Sequence, residues 1–251
     1  MPGFGWPPVW RVVLAFVVGK RTQANANLLL DRVKDVTDPH IPFFTSDQLP
    51  EDDDALLHPY GGWVQPARTG ARGRFPDPRL VPPDALLYAQ VVKVREGSRV
   101  TEVKTKVIFG KPDAIAAHLA NSSVSEGVNT SFVERDNLTQ RQSNRRLTRR
   151  TNGFSKDLLW FEKQLWLSIA YYHFVLPHHS LRQPLETPEP TRGKGTPKRW
   201  KPVTPAMAAG ITDHVWTTPE LLSYRVPAHF LDQLSKIKPL FALPDEIHQG
   251  K

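Results

Sequence analysis

The chain of 251 residues predicts an α/β fold, a sheet flanked by helices, from three features of its sequence. Val12–Val18, V-V-L-A-F-V-V, is an unbroken apolar run rich in β-branched residues and ended by Gly19, the pattern of a strand covered on both faces. Leu86–Arg95 and Arg99–Phe109 alternate apolar and polar residues on either side of E-G-S, the pattern of a hairpin. Ser131–Arg150 and Asp157–Leu176 contain neither Pro nor Gly and read as two long helices.

In chain order, Met1–Pro8 alternates Pro and Gly too densely for a regular element. After the Val12–Val18 strand, Thr22 can cap a helix from Gln23 to Val36, with Ala24, Leu28, Leu29 and Val33 as its buried stripe and Asp31, Arg32 and Lys34 outside; Pro39 follows its end. I-P-F-F-T-S-D is a short strand that delivers Asp47 at its carboxyl end, and Glu51–Asp54 opens a further helix. Tyr60–Pro83 reads as a surface loop with scattered Arg. Lys93, Lys104 and Lys106 on the hairpin read as solvated charges that protect a sheet edge. Pro112–Ala120 is a short helix and Val128–Thr130 a short strand. Leu158, Leu159, Leu165, Trp166, Ile169 and Tyr172 are the inward residues of the Asp157–Leu176 helix, and its aromatic density belongs to a core. Gln183–Lys201 is a Pro/Lys/Arg linker, followed by a short helix and turn.

With 33 basic and 25 acidic side chains the formal charge is +8, and the basic residues crowd into Arg135–Lys156, which favours a polyanionic partner, nucleic acid above all. The longest apolar run is far too short for a bilayer, and neither a signal peptide nor a membrane partner is expected. The chain has no Cys, which excludes disulfides and thiolate metal sites and fits a cytoplasmic, nucleoid-associated protein.

The stretch S-F-V-E-R-D-N-L-T-Q-R-Q-S-N-R-R-L-T-R-R carries most of the functional information. Ser131 and Glu134 fit a capping box. On a helix, Glu134, Asn137, Leu138 and Arg141 share one face at i, i+3, i+4 and i+7, so a metal-binding carboxylate stands near an amide and a guanidinium that can grip phosphate. Arg135, Arg145, Arg146, Arg149 and Arg150 occupy the other faces and suit DNA phosphates. Read on residues alone, the same stretch is also a solvated basic helix whose Glu merely caps and pairs.

E-R-D-N-L-T-Q-R-Q followed by N-R-R-L-T-R-R-T-N-G-F-S-K resembles the third-acid helix of DDE insertion-sequence transposases, closest to the insertion sequence 1 family, and L-A-F-V-V-G-K-R-T and Y-H-F-V-L-P-H-x-S-L-R resemble further segments of it. The resemblance implies an RNase H-like mixed sheet with flanking helices, Mg²⁺ (or Mn²⁺) held by two Asp and one Glu, and two-metal phosphoryl transfer on double-stranded DNA, both element ends and target, with a homo-oligomer open. It assigns Glu134 and Asp47 as two of the catalytic, metal-holding acids, Asn137 as an orienting group near the site and Arg141 as a phosphate contact; with the basic residues of the helix, the expected DNA-binding set is Asn137, Arg141, Arg145, Arg146, Arg149 and Arg150. Read without it, Asp47 caps the helix that follows. The first acid has no counterpart here, because no Asp or Glu precedes Val12 and the earliest, Asp31, falls on a helix. The expected chain is therefore a transposase core incomplete at its N-terminus, inactive as written, with Asp31 and Asp52 the nearest substitutes. Its expected domains are a core over residues 1–182, interrupted by an inserted β-hairpin segment at about 58–111, and a linker and tail over 183–251. Two other readings stay open: a non-catalytic basic nucleic-acid-binding protein, and an RNase H-like nuclease of another lineage.

Overall fold

A computed structural model describes residues 3–5, 10–47, 51–68, 70, 75–122, 124–148, 152–153, 155–191, 193 and 195–227. The elements run β1 (Gly3–Gly5), β2 (Ala15–Val17), α1 (Gln23–Thr37), β3 (Phe44–Asp47), α2 (Glu51–Tyr60), β4 (Gly62–Val64), β5 (Arg79–Val81), β6 (Tyr88–Glu96), β7 (Arg99–Phe109), α3 (Pro112–Ala120), α4 (Ser131–Ser143), α5 (Leu158–Phe174), β8 (Gln183–Glu189), β9 (Lys198–Lys201), α6 (Pro205–Ala208) and α7 (Thr218–Ser223), with 3₁₀ turns at Arg145–Leu147 and His179–Leu181. The arrangement is mixed α/β, and its largest sheet is mixed.

That sheet has the order β3-β6-β7. β3 lies parallel to β6, with Asp47 beside Val91, and β6 turns antiparallel into β7. The hairpin foreseen at Leu86–Phe109 is present, closed by Gly97 and Ser98 between the paired Glu96 and Arg99, and Gly97 at φ +61° supplies the left-handed first residue of a tight hairpin turn. Its first strand is the hydrogen-bonded neighbour of the strand that carries Asp47. Alternation places Phe44, Ser46, Tyr88 and Gln90 on one face and Phe43, Asp47, Val91 and Lys93 on the other. α1 and α2 cover the first face, where Leu56, Leu86 and Tyr88 are buried with Leu30, Phe44 and Tyr60 packed around them. On the second face His118 of α3 stacks 5.1 Å from Phe43, and Val91 is buried.

A second core forms where α5 meets the N-terminal segment. Leu165, Ile169 and Tyr172, at i, i+4 and i+7, bury against Val13 and Phe16. Leu158 and Trp166, expected inside, are each more than a third exposed, although Trp166 keeps a ring contact with Phe16 at 4.7 Å. Val12, Val13 and Ala15–Val17 are buried as the apolar run required, yet only Ala15–Val17 is strand, paired with β1. Val13 donates its N–H to His173 Nε2 at 2.9 Å, so a side chain of α5 takes the place of a ladder partner. The apolar run is packed away by α5 instead of standing as an open edge.

Other expectations are corrected. α4 stops at Ser143 instead of continuing to Arg150: Asn144 turns extended, its side chain accepts the Arg146 N–H at 3.1 Å, and this local bond outcompetes another helical turn. Val128–Thr130 is irregular, because Asn129 bonds Ser125 Oγ at 2.6 Å and accepts the Ser131 N–H, and these local bonds replace a ladder. The Gln183–Lys201 linker holds the antiparallel pair β8 and β9, and the Tyr60–Pro83 loop the pair β4 and β5. α1 begins at the Thr22 cap, whose side chain accepts from the Asn25 N–H, but its buried side is centred on Val33, while Ala24 and Leu28 are exposed. α3 has the predicted bounds. The tail docks on α5: Trp216 donates its backbone N–H to the Phe174 carbonyl at 3.0 Å, and its ring lies tilted against the Phe174 ring with centroids 4.4 Å apart.

Candidate functional site

The two acids singled out in the sequence come together. β3 ends at Asp47, and one register step past its neighbour Val91 on the same face of β6 stands Lys93. Lys93 Nζ donates to Glu134 Oε1 at 2.5 Å and lies 4.0 Å from Asp47 Oδ1. Two carboxylates distant in sequence thus lie within the sum of those two distances, one at a strand end and one on the first turn of α4, with an ammonium between them. The hydrogen bond with Glu134 raises the Lys93 pKa, and the same bond lowers that of Glu134. Thr130 Oγ1 adds a second donor to Glu134 at 3.4 Å. Glu134 therefore faces the sheet and does not reach back to cap its helix; the N-cap is Thr130, without a side-chain cap bond, and the expected Ser131 capping box is not formed.

Asn137 and Arg141 follow Glu134 at i+3 and i+7, both partly buried. Arg135 is exposed on α4, and Arg145 and Arg146 are exposed on the 3₁₀ turn instead of on a continued helix; Arg146 donates to Ser155 Oγ at 3.1 Å. Arg149 and Arg150 lie outside the described residues. On α5, Lys163 sits 4.6 Å over the ring of Trp160, which is 61% exposed, so that helix presents a cation against an aromatic face.

The opposite face of the sheet fixes the strand end. Gln90, almost fully buried, donates to Asp53 Oδ1 and to Tyr88 Oη, each at 2.8 Å, and Tyr88 Oη shares a hydrogen bond with Ser46 Oγ at 2.8 Å. Burial raises the Asp53 pKa. This network locks Ser46, and through it Asp47, to β6 and α2. Of the two nearest substitute acids, Asp31 lies 3.5 Å from His58, joining α1 to α2 on the other face, and the Asp52 side chain is outside the described residues.

Alternation could not reveal the buried face of α4, which is polar. Asp136, Gln140 and Asn144, at i, i+4 and i+8, are each at most 5% exposed. Burial pushes the Asp136 carboxyl up to about 6, with a long 3.5 Å donation from Gln140 Nε2 as its partial compensation. Burial also raises Tyr172 and pushes His173 down to about 4, so the imidazole is neutral and accepts the Val13 N–H. His178 accepts from the Ser180 N–H at 3.3 Å and closes the turn after α5.

Two-metal chemistry uses three carboxylates, one of them shared by both ions. Here the described donors are Asp47, Glu134 and a lysine ammonium already bonded to one and close to the other, a donor set that does not fit a pair of Mg²⁺ ions. Among the described residues no group of three or more His, Cys, Asp or Glu has the geometry to hold a metal ion. No described helix is long and apolar enough to cross a membrane. Compared with protein-family models, with curated proteins and with solved structures, the chain matches none.

Proposed function

We propose that this chain is a DNA-binding protein of the DDE insertion-sequence transposase type, with an RNase H-like core, and that as it stands it grips duplex DNA without cutting or joining it. The observation that carries this reading is the meeting of Asp47 and Glu134 at one strand end around Lys93. A chance helix with a capping Glu has no reason to place that Glu beside the strand-end Asp. Open sheets carry their chemistry at such carboxyl ends. The exposed Arg135, Arg145 and Arg146 border the same helix and offer phosphate contacts, while the described residues offer no element shaped to read base edges. The ammonium against the acid pair disfavours metal-assisted hydrolysis, and the arginines rather than the acids supply the grip on DNA.

The test is binding to duplexes of unrelated sequence across a salt series. Weak, sequence-indifferent binding is expected, with log affinity falling by about 0.9 per phosphate contact for each tenfold rise in salt. Changing Arg145, Arg146, Arg149 and Arg150 together to Ala should weaken all sequences alike and flatten that slope by up to about 3 to 4. Affinity indifferent to salt, or strong preference for one sequence, would refute the reading.

A further inference from the structure

We propose that Lys93 is the built-in cation of the Asp47–Glu134 pair: its ammonium stands where a divalent ion would sit, keeps such ions out, and leaves a divalent-cation site when it is removed. The position of Lys93 is not that of a wandering surface lysine. Its backbone is in the middle strand of the β3-β6-β7 sheet, in register with the strand that ends at Asp47, while Glu134 arrives from a separate helix. The Lys93 side chain is 30% exposed, against 54% for Glu134 and 66% for Asp47, so its stem is held along the sheet more closely than either acid side chain. The hydrogen bond with Glu134 favours the charged form of both partners.

The chemistry decides between a structural ion pair and a blocked metal site. Mg²⁺ and Mn²⁺ prefer hard oxygen donors, and Mg²⁺ is commonly bound by only one or two carboxylates, waters or phosphates completing the shell. Asp47 and Glu134 supply that number. With the ammonium between them the local charge is that of a single anion, and a divalent ion would meet a fixed positive charge at contact distance. With a neutral residue at position 93, two carboxylates remain, one at a strand end and one on a helix, near enough to share a cation that relieves their like charge. This inference rests on Asp47 and Glu134 being the acids of the proposed site and does not depend on DNA binding, so a titration without DNA separates the two.

The experiment is titration of the full chain with Mn²⁺, free ion being read by its electron paramagnetic resonance signal. The native chain, Glu134→Gln, Lys93→Arg, Lys93→Gln, Lys93→Met and the double variant Lys93→Gln with Glu134→Gln are compared, and thermal unfolding by circular dichroism confirms that each is folded. Native and Lys93→Arg chains are expected to show no Glu134-dependent site. Lys93→Gln and Lys93→Met should each gain one Mn²⁺ site at least about tenfold tighter than any background binding, because a positive charge about 4 Å away has been removed, and the double variant should lose it. A Glu134-dependent Mn²⁺ site in the native chain overturns the proposal. So does the failure of the folded neutral variants to gain one.

Discussion

Asp136→Asn isolates the cost of the buried polar face of α4. In the fold the Asp136 carboxyl is 5% exposed and titrates at about 6, against an ordinary value of 3.8, with loss of solvent as the first cause. The folded chain therefore holds this proton more tightly than the unfolded chain, and stability falls as pH rises from about 4 to about 6, then levels off. At about 1.4 kcal/mol per pH unit the interval amounts to about 3 kcal/mol, a net figure in which the Gln140 donation to the ionised form already offsets part of the cost of burial. Asn has nearly the same shape and no proton to lose, so it should match the native chain near pH 4 and exceed it by about 1 to 3 kcal/mol near pH 7.5. Urea unfolding followed by tryptophan fluorescence at the two pH values measures both differences. A variant no more stable than native at the higher pH, or one with the same gain at both, would show that the carboxylate is ionised and well satisfied, and would refute the reasoning.

Leu165→Ala empties the centre of the α5 core, where Leu165 is fully buried against Val13 and Phe16, and should cost about 2 to 5 kcal/mol in the same urea assay. A loss below about 1 kcal/mol would mean that α5 does not pack on the N-terminal segment. Asn144→Ala removes the buried side chain that stops α4 and should cost about 1 to 3 kcal/mol, with faster amide exchange at Arg146 as its local sign. Glu134→Gln keeps a hydrogen-bond acceptor for Lys93 but removes the charge; the pair is too exposed for more than about 0.2 to 1 kcal/mol, so stability should barely move.

Much of the scaffold was legible because it is written in local signals. Thr22 announced α1, the alternation around Gly97 announced the hairpin, and Pro112 opened α3. Asp47 at its strand end and Glu134 on its helix were both placed from the sequence, and their pairing entered only as what the family resemblance implies. Their neighbour Lys93 was read as an edge charge, since nothing local says that β6 will lie parallel to β3; that pairing is a long-range contact. The end of α4 was missed because Asn144 is an ordinary residue for a helix until its side chain is seen bonding Arg146. The polar stripe Asp136, Gln140, Asn144 was available at helical spacing, but a rule that looks for apolar stripes assigns those residues to solvent. Val13 lost its ladder to His173 for a reason no strand propensity contains.

The most direct measurement is a nicking assay on supercoiled and linear duplex DNA with Mg²⁺ or Mn²⁺, run with the native chain and with Glu134→Gln while bound DNA is followed in the same samples. Bound but uncut DNA is expected from both, with equal affinity within about twofold, since Glu134 holds Lys93 and not phosphate. Metal-dependent nicking by the native chain that disappears in Glu134→Gln would contradict this, and would mean that a further carboxylate completes the pair and that Lys93 leaves it when DNA arrives.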